Sequence, residues 1–156
     1  MKRHFLTAAA ALILGIVSVS AKEDAPRGFM PISELQEARE KADGKKLVVL
    51  VVKGADDSCP NCAAALENGE KAVGSGVVKV FARAEKMNKE DASAYPAALK
   101  ERVQQRFTTG AAVTFLVFDP AMEKLIVEAT RKELQSNKKL TAEFKKTVQA
   151  AKKEYK

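Results

Sequence analysis

Apolar positions along this chain follow two rhythms, one of strands and one of helices. Leu47 to Val52 is apolar at every position, as suits a strand buried on both faces of a sheet. Val77 to Ala82 alternates in part and predicts a second strand, and Val113 to Phe118 and Leu125 to Ala129 predict a third and a fourth. Helical spacing fills the gaps. Ser33-Glu34-Leu35-Gln36 has capping-box spacing and opens a helix running to about Ala42, which Asp43-Gly44 ends. A second helix is predicted from Cys59 to about Ala72, broken by Gly74-Ser75-Gly76. A third, from about Asp91 to Phe107, sets Tyr95, Leu99, Val103 and Phe107 on one face, and Thr108-Thr109-Gly110 ends it. The last runs from about Thr141 to Glu154.

The resulting order is α-β-α-β-α-β-β-α. Helices join the first three strands, whereas the turn at Asp119-Pro120 is too short for a crossover and predicts a hairpin. The expected architecture is α/β, with a four-stranded mixed sheet covered by helices on both faces. No internal repeat or low-complexity segment interrupts it.

The ends of the chain differ from its middle. Lys2, Arg3 and His4 precede an apolar stretch, Phe5 to Val19, and Val19-Ser20-Ala21 is a small-residue cleavage site. Residues 1–21 therefore read as an export signal; an uncleaved anchor is the alternative, but the stretch is short for a membrane span. Residues 22–31, with Pro26, Gly28 and Pro31, read as a flexible leader, and 32–156 as one domain. Signal removal would leave 135 residues with 25 basic and 20 acidic side chains, a net +5. The excess lies in residues 131–156, where nine basic side chains face three acidic ones.

Lys138/Lys139, Lys145/Lys146 and Lys152/Lys153 repeat every seven residues, opposite the stripe Leu140, Phe144, Val148, Ala151 and Tyr155. That pattern describes a core-facing helix with a solvated back; weak attraction to acidic partners or an anionic membrane surface is the alternative. No aromatic residues interleave the lysines to stack bases, so nucleic acid is not an expected partner. Arg83, Lys86 and Tyr95 form no informative pattern.

Candidate chemistry is concentrated in Cys59-Pro60-Asn61-Cys62, which holds the only two cysteines. In a first helical turn the α-carbons of such a pair lie about 5–5.5 Å apart, inside the roughly 4.4–6.8 Å window of a disulfide. Pro60 suits the first helical position, which makes Cys59 the N-cap and turns its sulfur toward the free N–H groups of Asn61 and Cys62. A thiolate there is favoured by about 0.3–2 kcal/mol. Asp56 and Asp57 oppose it by an amount of similar order. An exported chain of this size with two cysteines is not a disulfide scaffold, so the pair is free to cycle.

With this motif between the first central strand and its helix, the chain resembles the thioredoxin-like superfamily over residues 32–154. Gly110-Ala111-Ala112-Val113-Thr114-Phe115-Leu116-Val117-Phe118 is similar to that family's segment leading into its third strand. The resemblance implies a thiol–disulfide oxidoreductase in which Cys59 is the nucleophile and Cys62 the resolving thiol. It places Ala112, Val113 and Thr114 in the substrate loop and makes Lys53, Asp57, Ser58, Pro60 and Asn61 the active-site neighbours. Three positions depart from the family pattern. Ser58 replaces an aromatic residue, Lys53 a buried acid, and Val113 a cis-proline, so the 111–114 segment is expected to be trans.

The implied partners are exported protein thiols and disulfides and a redox partner protein, met by a monomer in the periplasm or outside a bacterial cell. No cofactor and no metal are expected. Two other readings of the pair stay open. One is a non-enzymatic binding module with a fixed Cys59–Cys62 disulfide. The other is metal delivery, which would need ligands from a second chain, or copper held with help from Met30, Met87 or Met122.

Overall fold

The computed structural model describes residues 25–156. Residues 1–24, which include the expected export signal and the start of the expected leader, lie outside the described residues. A mixed five-stranded sheet forms the middle layer, in the order β1-β3-β2-β4-β5. Its strands are β1 (Met30–Pro31), β2 (Val48–Lys53), β3 (Val78–Arg83), β4 (Val113–Phe118) and β5 (Leu125–Thr130). The first three are parallel; β4 runs antiparallel to β2, and β5 antiparallel to β4.

The expected count of four strands is therefore corrected to five. The extra strand comes from the end of the presumed leader, where Met30 and Pro31 pair with Val80 and Phe81. Two residues with a proline carry no strand periodicity, but an edge position leaves the missing proline N–H facing outward. Phe29 adds an edge-to-face contact with Phe81, their centroids 6.2 Å apart.

Alternation along β2 divides the core. Val48, Leu50 and Val52 face α1 (Leu35–Ala42), α3 (Ala84–Met87) and α4 (Ala97–Gln104). Leu47, Val49 and Val51 face α2 (Pro60–Val73), α5 (Arg131–Leu134) and α6 (Lys138–Glu154). All six side chains from Leu47 to Val52 are at most 2% exposed, which is why the segment shows no polar alternation. No helix among the described residues is long and apolar enough to cross a membrane.

Three helical expectations are revised. A 3-10 turn, Ile32–Glu34, precedes α1, so Glu34 rather than Ser33 is its N-cap. The helix expected over 91–107 is split, because Pro96 disfavours the helical region for the residue before it and Tyr95 is extended at ψ 151°. Only Ala97–Gln104 is α-helical, and Arg106 leaves it at φ 55°. Leu99, Val103 and Phe107 are nonetheless buried together. The third revision concerns Lys152, which does not belong to a solvated back. Its ammonium donates to the Val73 and Ser75 carbonyls at 2.5 and 2.6 Å, satisfying the end of α2.

Two glycines mark close approaches. Gly69 of α2 rests on Phe115, whose ring atoms would lie 2.4 Å from an added Cβ. Gly54, just past β2, rests on backbone: an added Cβ would lie 1.9 Å from the Gly110 oxygen and 2.7 Å from that of Thr109. The segment after α4 is thereby brought against the end of β2. Asn88 pins the same segment, donating to the Phe107 carbonyl at 2.7 Å and accepting its N–H at 2.8 Å.

Candidate functional site

The cysteine motif lies where β2 hands the chain to α2. Gly54 N–H donates to the Ala112 carbonyl at 3.0 Å and Ala55 N–H to that of Thr109 at 2.7 Å, tying this turn to the 109–112 segment. Ala55 N–H also reaches Glu85 Oε1 at 3.1 Å. Asp56 closes an Asx turn, accepting the Ser58 N–H at 3.0 Å and its hydroxyl at 2.7 Å. Cys59 follows as N-cap at φ −70°, ψ 108°, with Pro60 at the first helical position. Its Sγ accepts the Cys62 N–H at 3.2 Å, the cap expected of the motif.

The two sulfurs are free thiols in unlike surroundings. Cys59 is partly exposed, while Cys62 is buried in the α2-side core with Val113, Phe115 and Leu134. A hydrogen bond from the Cys62 side chain, the Cys62 backbone N–H and the charge of Arg131 hold the Cys59 thiol below its ordinary range, against opposing effects of desolvation and Asp56. Burial pushes the Cys62 thiol up to about 11, with the hydrogen bond to Cys59 adding to it. One thiol is thus prepared to ionise and the other to stay protonated.

The two aspartates, equivalent in sequence, differ here. Asp57 is the centre of a clamp. Arg83 meets it with both terminal nitrogens, at 2.9 and 3.2 Å, and also donates to the Gly54 carbonyl at 3.1 Å. Lys53 pairs with the same carboxylate. These two cations hold the Asp57 carboxyl down to about 2, and its charge is neutralised before it can repel a thiolate. Asp56 alone counts against Cys59.

A carboxyl with a lowered pKa stabilises the fold fully above its unfolded value, near about 3.9, and loses that contribution as pH falls through the folded value. The stability difference between the wild type and Asp57→Asn is therefore expected to be constant from about pH 5 to pH 7 and to shrink between about pH 4 and pH 2. Denaturant unfolding at a series of pH values checks this. A difference that does not change across the acid range would mean that Asp57 is not clamped.

Val113 opens β4 opposite Lys53, and Thr114 pairs with Val52. No peptide bond among the described residues is cis, so the 111–114 segment runs trans as expected. Ala111 and Val113 pack in the same core as both cysteines. Of the neighbours expected from sequence, Lys53, Asp57, Ser58, Pro60, Asn61 and the 112–114 segment thus all gather at this end of the sheet. The methionines do not. Met87 and Met122 are fully buried in the opposite core, and Met30 packs against that core too, so none can share a metal with the cysteines. Among the described residues no group of three or more His, Cys, Asp or Glu side chains could hold a metal ion.

Four residues of the site escaped sequence reasoning: Gly54, Arg83, Glu85 and Arg131. The parallel register sets Lys53 beside Arg83, a pairing that could have been read from two equal strands each ending in a cation. Arg131 follows β5 directly, and only the hairpin register shows how close it comes to β4. Compared with protein-family models, with curated proteins and with solved structures, the chain matches none.

Proposed function

We propose that this chain is an exported thiol–disulfide oxidoreductase with a thioredoxin-like fold. The observation that carries the reading is the asymmetry of the pair: a partly exposed, N-capping Cys59 whose thiol is acidified, beside a buried Cys62 whose thiol is not. The placement of the motif between a central strand and α2 supports the fold assignment, as does the segment Gly110 to Phe118 that leads into β4. Export is supported by the sequence pattern of residues 1–21, and it gives protein thiols and disulfides of the periplasm or extracellular space as partners.

In the reducing direction the Cys59 thiolate attacks one sulfur of a partner's disulfide. A Cys59–partner bond forms, the partner's S–S bond breaks, and the departing sulfur leaves with the bonding pair and takes a proton from water. Cys62 then gives its proton to solvent and attacks Cys59. The internal disulfide forms, the second partner thiol is released, and two electrons have passed from the pair to the partner. The reverse sequence oxidises a dithiol. Hydrogen-bond donation to Cys59 stabilises the dithiol state relative to the disulfide, which raises the reduction potential.

The reduction potential of the pair tests the reading. Equilibration against glutathione is expected to give a value between about −270 and −120 mV, the range of exchanging pairs. A value below about −300 mV would place it with structural disulfides and overturn the proposal.

A further inference from the structure

The cysteine end of the sheet carries a row of cations, and one of them meets no carboxylate among the described residues. Pairing sets Arg83 beside Lys53 and Lys53 beside Val113. Thr114 pairs with Thr130, so Arg131, one residue further on, stands level with Val113. The α2 face of the sheet carries this parity, since Val51, Phe81, Phe115 and Ala129 pack in the core that includes Cys62. Asp57 occupies the cations at one end of the row, Lys53 and Arg83. At the other end Arg131 has no hydrogen-bonded or ion-paired carboxylate among the described residues. The nearest acid in sequence, Glu133, is committed to the Thr130 N–H at 2.6 Å and the Thr130 hydroxyl at 2.8 Å.

Arg131 is also held in place. The Thr130–Glu133 capping box fixes the start of α5 and Leu134 is fully buried. Asn68, on the cysteine helix itself, donates to the Leu134 carbonyl at 2.8 Å. The backbone of Arg131 is therefore fastened to the element that carries both thiols. Its charge reaches them, favouring the anionic form of each. Its guanidinium, carried on that fixed backbone and bonded to no described carboxylate, has donors to spare for a planar anion.

We propose that Arg131 is a specificity-determining residue that selects disulfides bearing a carboxylate beside the scissile sulfur, pairing with that carboxylate while Cys59 attacks. The inference rests on the oxidoreductase reading and names its substrate class: disulfides flanked by acidic groups. The bond changes are those already written, with Cys59–S forming and the partner's S–S breaking. The carboxylate and guanidinium exchange no electrons; their pairing only orients the disulfide and raises its local concentration.

The test uses the reduced protein and three small disulfides: anionic dithiodipropionate, cationic cystamine and neutral hydroxyethyl disulfide. The rate of Cys59–Cys62 oxidation is followed for each, and the anionic-to-cationic ratio is divided by the same ratio for free mercaptoethanol. Thiolate fraction cancels from the quotient, and leaving-group differences are removed by the reference. The quotient is expected to be about tenfold in the wild type at low salt and to approach one in about 0.5 M salt. Arg131→Gln is expected to bring it to about one at low salt, while Arg131→Lys retains most of it. A quotient near one in the wild type, or one that Arg131→Gln leaves unchanged, overturns the inference while oxidation by the neutral probe leaves the oxidoreductase reading standing. No oxidation by any of the three probes overturns that reading and the inference with it.

Discussion

Gly54→Ala is expected to destabilise the protein by roughly 2–6 kcal/mol, more than the same change at any other described glycine. The added Cβ would meet the Gly110 oxygen at 1.9 Å and the Thr109 oxygen at 2.7 Å. Both are backbone atoms, so no rotamer change relieves the overlap; the strand end or the 109–112 segment must move. Either movement lengthens the bonds from Gly54 N–H to Ala112 and from Ala55 N–H to Thr109, now 3.0 and 2.7 Å. Each such bond contributes about 0.5–1.5 kcal/mol, and overpacking adds about 1–3 kcal/mol. Gly110→Ala is the matched control. It changes the other side of the same contact, yet nothing lies within 4 Å of its Cβ position. Urea unfolding is expected to leave Gly110→Ala within about 1 kcal/mol of the wild type. Equal losses in the two variants would show that the close approach at Gly54 is not what the glycine serves.

Much of this arrangement was legible in the sequence, and the unreadable part has a physical pattern. The unbroken run Leu47 to Val52 could only be a central strand, and it pairs on both sides with β3 and β4. Pro60 after Cys59 fixed the start of α2, because a residue without an N–H fits a first turn and little else. These are local signals. The edge strand Met30–Pro31 was invisible, since its pairing with β3 is a tertiary event for two residues without periodicity. In the 91–107 stretch the apolar spacing was right about burial but wrong about the helix, because Pro96 governs the backbone locally and packing does not.

The electrostatics of the site were legible least. Asp56 and Asp57 look alike as neighbours of Cys59, and sequence alone gives both the same opposition to a thiolate. Register decides otherwise: Lys53 and Arg83 lie side by side across β2 and β3, so Asp57 finds two cations and Asp56 finds Ser58. Arg131 is 72 positions from Cys59 in sequence and reaches it only through the β4–β5 hairpin. Lys53 is thus part of the clamp that removes a negative charge from the thiol's surroundings.

Cys59→Ala is expected to abolish disulfide exchange and leave behind an almost unreactive thiol, whereas Cys62→Ser should stay reactive and accumulate mixed disulfides. With a pKa near 11, the Cys62 thiol is about one part in 10,000 ionised at pH 7. An ordinary exposed thiol is about 3% ionised there, and at Cys59 the hydrogen bonds from Cys62 and the charge of Arg131 shift the balance toward the thiolate. The higher pKa makes the rare Cys62 thiolate a stronger nucleophile, but with a Brønsted coefficient of about 0.4–0.5 this recovers roughly one decade of the two and a half lost. In Cys59→Ala the hydrogen bond and charge of Cys59 no longer raise the Cys62 thiol, but burial, the largest cause, remains, so iodoacetamide is expected to label Cys59→Ala about tenfold more slowly than Cys62→Ser. Serine is the better replacement at 62 because the Cys62 side chain donates to Cys59, and a hydroxyl preserves a donor there. The backbone N–H at 62, 3.2 Å from the Cys59 sulfur, is unaffected by a side-chain change at 62. Without a thiol at 62 the partner cannot be displaced, so mixed disulfides with Cys62→Ser should survive non-reducing electrophoresis and vanish on reduction. Comparable labelling rates for the two variants would refute the division of labour between nucleophile and resolving thiol.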